Sequence, residues 1–216
     1  MGESLRHRYR AVVFDMDGLL LDTEVLWHTA EVELFRRHGG EFTWDDKMAV
    51  IGTSFETTAV YFAERLGRPL AEGRVLVDEM IDLMYEQLQR QVDARPGAVE
   101  LVARLRGRLP LAVASNSPTR LVDAALLAAG LTDAFDAVVT SDDVVNAKPA
   151  PDIYLEACRR LGVAPADALA LEDSPSGIAA AKAAGLACIA VPQFAEADVS
   201  AADRVIDSLE ELLAEA

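Results

Sequence analysis

Apolar and polar positions along this 216-residue chain follow two different periods, and the change from one to the other divides it. Ala11-Val12-Val13-Phe14 is a short uninterrupted apolar run, as a strand buried on both faces requires, and it stops at Asp15-Met16-Asp17-Gly18. Leu19-Leu20-Leu21 is a second apolar stretch, closed by Asp22-Thr23-Glu24. From Glu24 to His38 the repeat becomes helical, with Leu26, Ala30 and Leu34 four apart, until Gly39-Gly40 ends it. Phe55, Ala59, Phe62 and Leu66 predict a second helix. Leu76, Met80, Leu83 and Leu88 predict a third, and Pro96-Gly97 breaks the pattern. No strand pattern intervenes, so a helical bundle is expected to be inserted after the first strand.

Beyond Pro96 helix and strand patterns alternate. A helix from Ala98 to Leu105 precedes a strand from Leu111 to Ala114, and a helix carrying Leu121, Ala125 and Ala129 follows. Further strands are expected at Ala137 to Thr140, Ala168 to Leu171 and Ala187 to Val191, with helices between them and a last helix from Leu209. Alternation of this kind implies a parallel sheet with right-handed crossovers. The expected fold is therefore α/β: a Rossmann-like parallel core with helices on both faces (residues 1–24 and 96–216) and an inserted helical-bundle cap (residues 25–95).

Every polar signature falls at or just after the carboxyl end of a strand, the edge where open parallel sheets bind ligands. These are Asp15 and Asp17, Ser115-Asn116-Ser117-Pro118, Lys148-Pro149, and Glu172-Asp173-Ser174-Pro175-Ser176-Gly177. Asp15, Asp17 and Asp173 would make an oxygen-rich site suited to Mg²⁺, which prefers hard oxygen ligands. Lys148 adds a compact positive charge, and Ser115 a hydroxyl beside a helix N-terminus; together these describe a phosphate site, with Asn116 lining it. A carboxylate aimed at such a phosphate can act as nucleophile, the developing charge being held by metal and lysine. Each residue alone has a plainer reading. Asp15 is then a turn former, Ser115 or, better placed, Ser117 a helix cap, Lys148 an ordinary surface lysine, and Glu172 and Asp173 acids complementing a helix dipole. Their concurrence on one edge favours chemistry.

Composition narrows the partners. Apolar residues make up 51% of the chain and charged residues 26%, enough for a large core, and the formal charge of −16 opposes binding to nucleic acid or anionic membrane. The basic run Arg6-His7-Arg8-Tyr9-Arg10 reads as a solvated tail. The region from 25 to 95 holds 13 acidic and 8 basic residues, a net of −5, so it is no polyanion clamp. No apolar segment approaches the ~20 residues that span a bilayer. The first apolar run meets Asp15 too soon for a signal peptide. Cys158 and Cys188 lie far apart and read as buried reduced thiols of a cytoplasmic protein. A monomer acting on a small molecule is expected.

Asp15-Met16-Asp17-Gly18, Ser115, Lys148-Pro149 and Glu172-Asp173 resemble, in order, the four motifs of the haloacid dehalogenase superfamily, across the whole core. The insert resembles the helical cap of its β-phosphoglucomutase-like subfamily. The resemblance implies Asp15 as nucleophile and Asp17 as general acid, then base. It implies Mg²⁺ at Asp15, the Asp17 carbonyl and Asp173 with help from Glu172, and a phosphoryl group bound by Ser115 and Lys148. A second acid at Asp17 resembles the phosphatases and phosphomutases rather than the dehalogenases. Where the mutase has a cap histidine this chain has Trp27, with His28 one residue on and turned about 100° around the helix. Three residues after Gly52, where the mutase has an arginine, stands Phe55. The opening motif is similar to phosphatases of 2-deoxyglucose 6-phosphate and hexitol phosphates, and also to the pseudouridine 5′-phosphatase group. A Mg²⁺-dependent sugar-phosphate phosphatase is thus expected, with Trp27 and Phe55 as candidate substrate contacts and a mutase as the alternative.

Overall fold

The computed structural model describes residues 4–51, 53–195 and 197–216; Gly52, used above to locate Phe55, lies outside them. The first helix, α1 (Leu5–Arg8), leads into strand β1 (Ala11–Phe14). There follow α2 (Glu24–Arg37), α3 (Trp44–Val50), α4 (Phe55–Arg65) and α5 (Gly73–Leu88). The alternating part comprises α6 (Ala98–Leu105), β2 (Leu111–Ala114), α7 (Thr119–Ala128), β3 (Ala137–Val139) and α8 (Asp152–Leu161). It ends with β4 (Ala168–Glu172), α9 (Pro175–Ala184), β5 (Ala187–Ala190) and β6 (Arg204–Val205). The six strands form one parallel sheet in the order β3-β2-β1-β4-β5-β6, the α/β class that the alternation predicts.

β1 is central and buried on both faces, and its alternate side chains serve two cores, as the strand period of two demands. Val12 and Phe14 join Leu101, Leu121 and Val122 from α6 and α7, in a cluster that runs on into the insert through Leu34, Phe35 and Phe62. Ala11 and Val13 face Ile153, Tyr154 and Ile178 from α8 and α9. Small residues on that second side (Ala112, Ala114, Ala170, Ala190) let the helices approach closely.

Within the segment between β1 and β2, α2 and α4 both pack on α5, and α5 rests on α7. Phe35, Phe42 and Phe62 form an edge-to-face trio at its centre, with centroids 5.0 to 6.2 Å apart. The chain enters and leaves this segment along paired backbones. Asp22 N–H donates to Asp93 O at 2.8 Å, and Arg95 N–H to Leu20 O at 2.9 Å.

Four elements differ from the sequence expectation. α3 was not anticipated, although Thr43 and Asp46 form a capping box at its start. The basic run belongs to α1, which is anchored by fully buried Leu5 while Arg6, His7 and Arg8 point outward. β6 is only two residues long, too short for a periodic signal. The last helix is a 3₁₀ segment, Leu209–Ala214. Among the described residues no helix is long and apolar enough to cross a membrane.

Candidate active site

β1, β2 and β4 end side by side, and each delivers polar groups to one place. The sheet fixes their backbones one step past the strands: Asp15 N–H donates to Leu171 O at 2.9 Å, and Ser115 N–H to Val139 O at 3.0 Å. After Asp15 the chain turns sharply through Gly18, whose φ of +86° suits glycine and whose missing side chain makes room for the Asp173 carboxylate.

Lys148 ties the strand ends together. Its Nζ donates to Asp15 Oδ1 at 2.6 Å, Glu172 Oε1 at 2.6 Å and the Ala114 carbonyl at 2.8 Å, which uses all three protons of a side chain with 3% of its surface exposed. Burial works to lower the Lys148 pKa, but the two carboxylates overcome it and hold the ammonium firmly charged. Lys148 itself is placed by Asn116, whose side-chain amide donates to Lys148 O (3.2 Å) and accepts from Lys148 N–H (2.9 Å). Asn116, expected at the phosphate, thus has both ends of its amide on the lysine backbone and keeps a second amide N–H free of it, at a position on the lining of the cavity described below.

Glu172 is fully buried at the end of β4. Besides Lys148 it receives the Tyr154 hydroxyl at 2.6 Å, Asp173 N–H at 3.1 Å and the Ser174 hydroxyl at 3.2 Å. Gly177, three residues after Ser174 in the first turn of α9, leaves the space in which this carboxylate sits.

Asp17 is held differently. Its Oδ2 accepts the hydroxyls of Ser115 (3.1 Å) and Ser117 (2.9 Å), and its Oδ1 accepts Thr23 Oγ1 (2.8 Å) and Trp27 Nε1 (3.4 Å). Ser117 is therefore no helix cap: α7 begins after Pro118, and its Thr119 N–H is met by Asp142 from a later loop at 2.9 Å. Thr23, at the start of α2, likewise turns its hydroxyl to Asp17 rather than to its own helix. In the sequence Ser117 is legible only as a helix cap and Thr23 only as a polar residue closing the second apolar stretch.

Three of the acids, Asp15, Glu172 and Asp173, each offer an oxygen within 4.8 Å of the others. Burial pushes Asp15 up to about 8 despite Lys148, with Glu172 and Asp17 adding to the rise, and burial, then Asp15 and Glu172, push Asp173 well above the usual carboxylate range. One oxygen of the crowded set, Asp15 Oδ2, is buried without a hydrogen-bond partner among the described residues. An all-oxygen set with an orphaned atom and mutual repulsion fits a hard divalent cation such as Mg²⁺. The Asp17 carboxylate, proposed from the sequence among the ligands, is turned to its four donors and stands outside this trio.

A cavity of about 1030 Å³ opens over these groups, between the strand ends and the insert, and Asp15, Asp17, Lys148 and Asp173 lie on its lining. From the insert come Trp27 and Phe55, both half-buried, their ring centroids 6.1 Å apart. His28 does not reach the lining; its ring packs 5.9 Å from Phe42, and its buried Nδ1 has no hydrogen-bond partner among the described residues.

Fold and site define the class: a doubly wound α/β protein whose acidic strand ends lie beneath a helical insert. Residues 9–185 match the model of the haloacid dehalogenase-like hydrolases, and the chain belongs to that family. It is 34% identical over 184 residues to the fructose-1-phosphate phosphatase YqaB of Escherichia coli (strain K12), covering 85% of this chain and 97% of that one. It is 34% identical over 209 residues to validoxylamine A 7′-phosphate phosphatase of Streptomyces hygroscopicus subsp. limoneus, covering 94% and 96%. Among solved structures, CbbY from Rhodobacter sphaeroides in complex with phosphate superposes with a TM-score of 0.82 at 32% identity, over 94% of this chain and 96% of the other.

Proposed function

We propose that this hydrolase is a cytoplasmic, Mg²⁺-dependent phosphatase that cleaves a small sugar-type phosphate monoester through an aspartyl-phosphate on Asp15. The reading is carried by one observation: Asp15, Lys148, Glu172 and Asp173 converge from separate segments beneath a cavity, with a second acid, Asp17, beside them. Residues 25–95 act as a cap over a core made of 1–24 and 96–216. The sugar-phosphate names of the relatives support the substrate class.

Mg²⁺ would be held by Asp15, Asp173 and the buried Glu172, and when bound it offsets the negative charge of the acids and of the phosphoryl oxygens. Asp15, its backbone fixed by the sheet, attacks phosphorus. The bond to the ester oxygen breaks, and the leaving oxygen takes a proton from Asp17. Asp17 then removes a proton from water, the water oxygen attacks phosphorus, and the bond to Asp15 breaks to release phosphate and restore the carboxylate. Lys148 and the Ser115 hydroxyl steady the transferring group. Because Thr23 and Trp27 reach Asp17 from the start of α2, the position of the cap and the orientation of the acid are linked.

The test is phosphate release with Mg²⁺ from a panel of hexose, hexitol, nucleoside and pseudouridine 5′-phosphates and glucose 1-phosphate. Release from sugar or polyol esters, lost on chelation, is the expected result. Isomerisation of glucose 1-phosphate without release would replace the phosphatase reading with a mutase.

A further inference from the structure

The cap wall of the cavity carries a charged cluster that the chemistry above does not use. Glu24, Trp27 and Glu31 fall at i, i+3 and i+7 of α2, on one stripe of the helix, and all three line the cavity. From α3, Lys47 reaches this stripe. Its Nζ lies 2.9 Å from Glu24 Oε1, 2.9 Å from Glu31 Oε2 and 3.2 Å from Glu31 Oε1. Side-chain exposure is 4% for Lys47, 6% for Glu31 and 18% for Glu24, so Glu24 is the member open to the cavity.

As mere glue between α2 and α3 this arrangement would be poor, since apolar residues of similar volume hold helices at least as well as a buried ion pair. Its stoichiometry points to a ligand. Glu31 engages Lys47 with both oxygens and Glu24 with one, while Glu24 Oε2 receives no side-chain hydrogen bond among the described residues. The open carboxylate oxygen of Glu24 is acceptor-only and suits a hydroxyl, which donates to it. A second phosphate suits it badly, being acceptor-only and anionic before two carboxylates whose counter-ion is already engaged. Glu56 adds another acid to the lining, and Arg74, the other cation there from the cap, pairs with Asp78 at 2.9 Å.

We propose that Glu24, positioned by Lys47 that Glu31 fixes in turn, is a hydroxyl-reading subsite for the leaving group, which selects a neutral polyol bearing one phosphate and rejects a bisphosphate. This rests on the phosphatase reading and names the part of the substrate that the cap recognises.

The experiment compares kcat/KM for a hexitol monophosphate, a hexose bisphosphate and p-nitrophenyl phosphate, which has no hydroxyl, using the full chain with Mg²⁺. The wild-type protein should prefer the monophosphate to the bisphosphate by tenfold or more. Lys47→Met and Glu24→Gln should each lower the hexitol-to-aryl ratio tenfold or more, as expected when a hydrogen bond to a charged group is lost. Glu24→Gln keeps the shape of the least buried member and decides the matter if Lys47→Met does not fold. Wild-type preference for the bisphosphate, or ratios unmoved within twofold in Glu24→Gln, would overturn the subsite while leaving the phosphatase intact. Failure of the wild type to release phosphate from any ester would instead remove the phosphatase reading itself.

Discussion

Gly177→Ala tests how firmly the site is built, because propensity and packing predict opposite signs. In an ordinary helix interior alanine is more stable than glycine by about 1 kcal/mol. Here the added methyl carbon overlaps Oε1, Cδ and Oε2 of Glu172. A flexible carboxylate would swing aside, but this one is fully buried and pinned by Lys148 and Tyr154 at 2.6 Å, Asp173 N–H at 3.1 Å and the Ser174 hydroxyl at 3.2 Å. Displacing it disrupts a buried charge pair, which costs about 3–5 kcal/mol, so the net change is a loss of about 2–4 kcal/mol. Domains of this kind have stabilities of about 5–15 kcal/mol, and the variant should still fold. Urea denaturation followed by circular dichroism gives the stability, and Mg²⁺-dependent phosphate release the activity; both should fall. A variant as stable as wild type or more so, with full turnover, would show that the Glu172 carboxylate is not held by those donors, and the account of the site would be wrong.

Asp15→Asn should fold, since Lys148 keeps Glu172 and an acid pushed up to about 8 is replaced by a neutral group, yet phosphate release should drop to background; appreciable turnover would remove Asp15 as nucleophile. Trp27→Phe keeps the ring and deletes one donor to Asp17, and kcat should fall by about fivefold to tenfold, in line with about 1 kcal/mol for one hydrogen bond, in steady-state assays with an aryl ester. Burial pushes Glu31 from its ordinary 4.5 to about 7, Lys47 opposing the rise and Glu24 adding to it. The folded protein then keeps a proton that the unfolded chain has lost across that window. Stability should therefore fall as pH rises from 4.5 towards 7, by at most about 3.4 kcal/mol at 1.36 kcal/mol per pKa unit. Glu31→Gln should flatten the decline, as read by denaturation at pH 5 and pH 8; parallel profiles for the two proteins would contradict it.

The first five strands and the strand-end chemistry are legible because both are local. A β-branched run that stops at an acid reads as a buried strand meeting solvent, and parallel topology then brings successive stops to one edge. What escaped notice is long-range or disguised. Tyr154 sits on the buried stripe of α8 and looks like core, yet its hydroxyl serves Glu172 18 positions away. Ser117 carries a helix-start signature, and nothing within four residues of it announces an acid 100 positions earlier. Glu24 and Glu31 carry no functional signal of their own in the sequence. Their spacing from Trp27 was the available signal, but Lys47, the partner that turns the stripe into a polar wall, belongs to a short helix with little periodicity. Asn116 lies on the cavity lining and also orients the lysine backbone, a second role with no local signal in the sequence.

The paired backbones at Leu20–Asp22 and Asp93–Arg95 have a consequence for how such a molecule changes over time. With entry and exit zipped together, everything between them hangs from the sheet like a pendant on a doubled cord. A pendant can be lengthened, trimmed or exchanged for another without re-laying a single strand, and among the residues that break the ester bond Asp17 registers the swap, through the donors that Thr23 and Trp27 lend it. Selectivity can therefore drift while the nucleophile, the lysine and the acids of the sheet edge stay in place, and a chimera joined at those two rungs should inherit its taste from the donor and keep its rate where the donor also supplies groups that reach Asp17 as Thr23 and Trp27 do.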